Sequence, residues 1–473
     1  MPKDKTNPPI AQSHTKSGEV KITHHGAVTG VTGSCHQYQT HKTNLLIDCG
    51  LFQGAESDRP LQEFDFNVAD VTALIVTHCH IDHVGRIPWL IAAGFRGPIY
   101  CTEPTAALLP LVLEDALGIH IPDNANLVQK ALSRILSQLQ AIPYDQWHAL
   151  PDSTVELRFQ PAGHIMGSAY VELEASGHRT VFSGDLGAPG AVFVDTPEAP
   201  ERADILVLES TYGNRDHEAR AERKTQLGNS LKRALADGGT VLIPAFSLGR
   251  TQEILAFIEE LLFEQGLIHP DGTGAALPII LDSPLALRLT QAYRHLLEHW
   301  REPLQGIRNA GRFPLAFDQL ITIEGHRDHL AMVKRLTSTN QPAVVLAASG
   351  MCQGGRIMNY LEAMLPLPET DVFFVGYQAR GTLGAAIQNA KPGNTVSINN
   401  RRIPMNAQVQ RLSGFSAHAD RTGLTNFCTQ IPQPPTEIRL VHGDAKVKQQ
   451  FQTHLANKLP NTKVWVPGEG ASY

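Results

Sequence analysis

The first two hundred residues of the chain carry short apolar runs that end in Gly, Asp or His. Runs at 20–23, 44–48, 72–78, 155–159, 170–173 and 180–183 have the length and β-branched content of strands. Between the third and the fourth, 105–140 has an apolar rhythm suited to helices, interrupted at 118–122. From about residue 213 the texture changes. Strand-like runs at 239–244, 278–281, 343–347 and 372–375 now alternate with helical patterns at 251–263, 285–297 and 355–364, the signature of a parallel, doubly wound sheet. After about residue 393 short strands return at 394–398, 409–412 and 438–441. The pattern predicts one α/β unit inserted into another: a flexible tail over 1–17, a first part over 18–212, an insertion over 213–392, and a second part over 393–473.

Composition narrows the classes. The chain has 473 residues, 42% hydrophobic and 18% charged, which is ordinary for globular protein of two to four domains and excludes disordered or fibrous classes. Lys and Arg number 40 against 46 Asp and Glu, a net charge of −6, so there is no global basic footprint of the kind a DNA-coating protein carries. No apolar run reaches the ~20 residues of a membrane span, and the leader lacks the apolar core of a signal peptide. Six cysteines without a CxxC pair fit a reducing cytoplasm. The departure from the ordinary is 21 histidines, several clustered beside aspartates.

The densest cluster is His78-Cys79-His80-Ile81-Asp82-His83. Strand alternation puts His78 and His80 on one side and turns Cys79 into the core. A helix predicted over 84–93 places Asp82 and His83 at or near its first turn. Imidazole and carboxylate together suit Zn, Fe or Mn. Three later runs also end in a residue of ligand type beside glycine: His164 in Gly163–Ser168, Asp185 in Ser183–Gly187, and His442 in Leu440–Asp444. Upstream, 45–47 ends at Asp48, a carboxylate placed to support a ligand from behind.

The order Asp48, His78-x-His80-x-Asp82-His83, His164, Asp185 resembles the metallo-β-lactamase superfamily, whose αββα sandwich holds two metal ions at one edge. The resemblance implies that His78, His80 and His164 bind one metal, that Asp82, His83 and His442 bind the other, and that Asp185 bridges. The long stretch between Asp185 and His442 supports an inserted domain. Leu206–Gly213, Pro244–Glu253, Asp282-Ser283-Pro284, Ala348–Arg356 and Gly414–Asp420 are similar to the β-CASP branch, which processes nucleic acids and includes RNase J and the endonuclease subunit of pre-mRNA 3′-end processing. Glu209, His418 and His442 match that branch's motifs A, B and C. Histidine at motif C accompanies RNA-directed members. The appended domains of the archaeal type and of RNase J have no counterpart here, so the chain resembles the short, stand-alone version.

The implied reading is a dinuclear-zinc ribonuclease, with Mn2+ as the alternative ion, that hydrolyses phosphodiester bonds of single-stranded RNA in a cleft between the two units. Two metals activate water and polarise the phosphoryl oxygen. His418 supplies the leaving-group proton and is oriented by Glu209, and Asp82 and Asp185 belong with the catalytic groups. Ser349-Gly350-Met351, between strand 343–347 and the next helix, is a candidate phosphate grip of backbone N–H groups. Arg250 reads as structural. Arg356, Arg380, Arg401 and Arg402 read as solvated surface, and His326 and His329 as exposed helix residues. The rivals are a small-molecule metallo-hydrolase of thioesterase type, which leaves Glu209 and His418 without a role, and a catalytically silent RNA-binding subunit, which has no need to keep every ligand. A homodimer is the candidate assembly.

Overall fold

The computed structural model describes residues 20–122, 124–217, 220–264, 277–339, 341–379, 381–391 and 393–470. The expected tail over 1–17 and Arg380 lie outside them. No helix among these residues is long and apolar enough to cross a membrane.

Two sheets stack face to face. The first has six strands in the order Lys21–His24, His36–Gln39, Asn44–Ile47, Ala73–Ile75, Ile99–Thr102 and Leu139–Ile142, antiparallel among the first three and parallel thereafter. The second has seven, in the order Lys463–Trp465, Glu437–Val441, Ile205–Glu209, His178–Phe182, Ala169–Ala175, Glu156–Pro161 and His148–Ala149. Period-2 alternation decides what each residue meets. Leu45 and Ile47 enter the layer between the sheets with Tyr38, Val171, Phe182 and Val207, while Leu46 packs outward with Leu108 and Leu113 of helix Glu103–His120. On the far side Leu206, Leu208 and Leu440 meet Leu424 and Phe451 of helices Arg421–Thr429 and Ala445–Lys458. The result is an αββα sandwich.

The third sheet is wholly parallel, in the order Leu320–Thr322, Ile279–Leu281, Ala343–Ala347, Thr240–Pro244, Asp371–Phe374 and Gln408–Arg411, flanked by helices that include Arg250–Glu264, Pro284–His295 and Ile357–Met364. It departs from the expected boundary at 392. After a hairpin of Thr395–Ile398 with Arg401–Pro404 the chain returns and adds Gln408–Arg411 to the edge, in register with Asp371–Phe374. A bare strand edge leaves its backbone groups unpaired, and this return strand satisfies them.

The helix expected over 84–93 is also different. It starts earlier, at Ile81–Val84, stops, and resumes as Ile87–Ala92. The interruption has a hydrogen-bond cause. The carbonyls of Ile81 and His83 accept from Leu51 N–H and Cys49 N–H at 3.0 and 2.7 Å, and Arg86 N–H donates to Cys49 O at 2.9 Å. The turn carrying Asp82 and His83 is thereby stitched to the segment after strand Asn44–Ile47. Cys79 is fully buried.

Candidate active site

The site forms where parallel strands end. Asn44–Ile47 and Ala73–Ile75 run parallel in the first sheet, and His178–Phe182, Ile205–Glu209 and Glu437–Val441 in the second. Their carboxyl ends bring Asp48, His78, Asp185, Glu209 and His442 to one edge of the sandwich. Parallel register makes this convergence unavoidable, because every strand delivers its last residue to the same side. The turns that follow are tight. A Cβ on Gly187 would lie 1.7 Å from the Gly163 carbonyl oxygen, so the segments bearing Asp185 and His164 approach each other only because that position is glycine.

Asp185 stands at the centre. Its Oδ2 lies 3.6 Å from His78 Nε2 and 3.5 Å from His164 Nε2, and its Oδ1 lies 3.3 Å from His83 Nε2 and 3.5 Å from His442 Nδ1. His80 Nδ1 lies 3.1 Å from His164 Nε2, and Asp82 Oδ2 lies 3.4 Å from His442 Nε2. Three overlapping groups of metal-ligand type result, one of His78, His80, His164 and Asp185, one of Asp82, His83 and His442, and one of Asp185, Glu209 and His442, each with its ligand atoms within 4.8 Å of one another. Asp48 supports them from behind. Its carboxylate meets His83 Nδ1 at 2.7 Å and accepts from Thr77 N–H and Thr77 Oγ1, each at 2.8 Å.

This donor set fits divalent metal. His83 Nε2, His164 Nδ1 and Asp185 Oδ1 are buried without a hydrogen-bond partner, and buried polar atoms are rarely left so. Five imidazoles and two carboxylates, with no thiolate, suit borderline ions such as Zn or Mn. Burial pushes the imidazoles of His78, His80 and His164 below the ordinary histidine range, which leaves them neutral with lone pairs to offer. For His83 burial works in the same direction, but the Asp185 and Asp48 carboxylates outweigh it and hold it well above that range.

His418 stands beside the cluster. Its ring centroid is 4.5 Å from that of His164, and its Nδ1 lies 3.1 Å from Glu209 Oε1. Glu209 is itself fixed, accepting from Leu186 N–H at 2.9 Å and Thr211 N–H at 3.2 Å. The His418 segment is held like a short strand: Ala188 N–H donates to Ala417 O at 3.0 Å and Ala419 N–H to Leu186 O at 2.7 Å. Burial opposes a charge on His418, but the Glu209 and Asp185 carboxylates outweigh it and raise its pKa to about 9. His80, Asp82, His164, Asp185, His418 and His442 line one cleft, with Phe246, Met351 and Tyr377 from the inserted unit on the opposite wall.

Other expected residues fall differently. Met351 lines the cleft, but no helix follows Ser349-Gly350-Met351 directly. The next begins at Ile357, because 350–356 turns back on itself, with Ser349 N–H donating to Gly354 O and Gln353 N–H to Ser349 Oγ. His329 is a correction. It is fully buried, not exposed, with Nδ1 2.7 Å from Asp282 Oδ2 and Nε2 2.7 Å from Asn359 Nδ2. Arg356 is only partly exposed and is not free in solvent, since it donates to Asp282 Oδ1 at 2.7 Å and to Ile323 O at 2.9 Å. Buried Arg250 is ion-paired with Glu253. Sequence reasoning missed Thr77, Thr211 and Arg223. Thr77 and Thr211 adjoin the motifs and could have been flagged by position. Arg223 donates to Gly414 O and Gly190 O, each at 2.9 Å, beneath the His418 segment, and no sequence signal marks it.

Comparison with known proteins agrees with this architecture. The metallo-β-lactamase superfamily description matches residues 28–245, the Beta-Casp domain 251–387, and the Zn-dependent metallo-hydrolase RNA specificity domain 402–467. Ribonuclease TTHA0252 of Thermus thermophilus is 37% identical over 425 residues, spanning 90% of this chain and 93% of that protein. Transcription termination factor FttA of Methanocaldococcus jannaschii is 31% identical over 462 residues, 95% of this chain and 70% of that protein. Endoribonuclease ysh1 of Schizosaccharomyces pombe is 29% identical over 93% of this chain and 56% of its own length. A crystal structure of an Enterococcus faecalis protein of unknown function shares the fold over 96% of this chain and 99% of its own, with a TM-score of 0.53 at 12% identity. The chain belongs to the β-CASP ribonuclease family of the metallo-β-lactamase superfamily.

Proposed function

We propose that this chain is a cytoplasmic dinuclear-zinc ribonuclease that hydrolyses phosphodiester bonds of single-stranded RNA in the cleft between the sandwich and the inserted unit. The observation that carries the reading is Asp185, one carboxylate oxygen facing His78 and His164 and the other facing His83 and His442, with the His418–Glu209 pair alongside. In it His78, His80 and His164 would hold one ion and Asp82, His83 and His442 the second, with Asp185 as a shared ligand. When bound, two such ions supply the nucleophile by lowering the pKa of water and offset charge on the phosphoryl oxygens.

The chain's own residues do the rest. Asp48 holds His83 through Nδ1, so that Nε2 is the atom presented to the site. Glu209 occupies Nδ1 of His418 in the same way, leaving Nε2 to donate a proton to the leaving oxygen. Phe246, more than a third exposed in the cleft, offers a face on which an unpaired base can stack. Zinc is favoured over Mn2+ because imidazole outnumbers carboxylate in the donor set. The buried free thiols of all six cysteines accord with a reducing cytoplasm.

The test is incubation of zinc-loaded protein with end-labelled single-stranded RNA bearing 5′-monophosphate, 5′-triphosphate or 5′-hydroxyl ends, beside matched DNA. RNA cleavage faster than DNA cleavage is expected. A ladder of internal cuts marks an endonuclease and mononucleotide release a 5′-exonuclease. Intact RNA in all three sets, or DNA cut as fast as RNA, overturns the reading.

A further inference from the structure

A second cavity, of about 290 Å3, opens in the inserted unit between helices Pro284–His295 and Glu302–Asn309 and the turn that follows. Its lining includes Arg294, His295, Arg308 and Phe313. Residues 284–316 hold five arginines against two glutamates, on a chain whose net charge is −6. Three of the five are neutralised: Arg288 pairs with Glu114, Arg301 with Asp195 and Arg312 with Glu259. The two without a carboxylate partner among the described residues are Arg294 and Arg308, and both line the cavity.

Phe313 adds an independent observation. Among the described residues the two most exposed phenylalanines are Phe313, at 53% in this cavity, and Phe246, at 37% in the active-site cleft. An exposed aromatic ring beside unpaired guanidinium groups suits an unstacked base and its phosphates. The cavity also lies directly behind the cleft. Its Trp300 packs edge-to-face on Phe193 at 5.0 Å, and Phe193 packs on Tyr293 at 5.4 Å. Phe193 and Tyr293 line the cleft, and Tyr293 Oη accepts from Met166 N–H at 3.3 Å, two residues from His164. One aromatic layer separates the two cavities.

We infer that this cavity is an anchor for single-stranded RNA outside the cleft, in which Arg294 and Arg308 take backbone phosphates and Phe313 stacks a base. The inference rests on the cleft being the RNA-cleaving site, and adds to it a dependence on substrate length. A strand of about four nucleotides is expected to fill the cleft alone, whereas one of about 20 reaches both places.

The test is binding of phosphorothioate-linked RNA of both lengths to the zinc-loaded full chain, comparing wild type with Arg294→Gln/Arg308→Gln and with Phe313→Ala. All three side chains are exposed, so the fold should persist. For the longer strand the double variant should raise Kd about tenfold and reduce the salt slope by about 1.4, roughly 0.7 for each lost phosphate contact. Phe313→Ala should raise it about fivefold. Binding of the short strand, and kcat on unmodified RNA of either length, should not change. Equal loss for both lengths, or no loss for the longer one, overturns the anchor. So does titration with AMP that changes Trp300 fluorescence only in the wild type while RNA binding is the same in all, since that marks a small-nucleotide site. If RNA is bound with this length dependence but never cleaved, the ribonuclease reading fails and the anchor stands.

Discussion

At the scale of single residues, the proposed mechanism gives metal binding to Asp185 and proton donation to His418. Asp185 faces two histidine groups at once, so Asp185→Ala should lose metal from both, and elemental analysis should fall from about two ions per chain. The His418 ring is hydrogen-bonded through Nδ1, to Glu209. His418→Ala should therefore keep both metals and bind RNA nearly normally while turnover falls by roughly 10²–10⁴-fold, the usual worth of a positioned general acid. The acid must be protonated to act. With its pKa raised to about 9, activity should hold through neutral pH and decline as pH rises past that value, and the decline should vanish in the variant. A nitrophenyl phosphodiester, whose leaving group needs little protonation, should be cut almost equally by both proteins. Equal damage on both substrates, or zinc loss, would make His418 a ligand or a structural residue instead.

At the scale of elements, the ligand-bearing strand ends were legible because an apolar run followed by His or Asp and glycine is a local pattern. His78, His80, Asp82 and His83 lie within six residues and needed no tertiary information. The interruption of the following helix was not legible, since it comes from hydrogen bonds to Cys49 and Leu51 in the segment after a separate strand, Asn44–Ile47. His329 shows the same limit more sharply. Its sequence neighbourhood reads as an exposed helix face, yet it faces Asp282, at the end of strand Ile279–Leu281. Tyr360 and Arg356 donate to the same carboxylate, so the cluster ties the ends of two parallel strands to helix Ile357–Met364 and the turn before it. Removing the ring leaves a void at a fully buried position, takes one of two partners from Asp282 Oδ2 and takes the partner of the Asn359 amide. His329→Ala should cost about 2–3 kcal/mol in chemical denaturation. An unchanged midpoint would show that the cluster is not holding these elements together.

At the scale of the whole molecule, folding gathers five histidines and two aspartates into one buried site, which is unfavourable without counter-charge. Metal that binds only the folded chain should stabilise it by mass action. Chelation should lower Tm by at least about 5 °C, zinc should restore it, and Asp185→Ala should show a smaller difference between the two conditions. A Tm indifferent to chelator would argue that the cluster is held by its own hydrogen bonds. The clustered candidate ligands, the two-unit architecture and the likeness to a nucleic-acid-processing family follow from the sequence by itself, because they rest on residue types at strand ends, spacing and short motifs, all local along the chain. Tertiary structure alone decided that Gln408–Arg411 closes the inserted sheet and that His329 and Arg356 are committed to Asp282. It also decided that Arg294, Arg308 and Phe313 share a cavity behind the cleft. Those facts depend on which distant backbone edges and charges meet, and no local pattern encodes a partner that lies on another element.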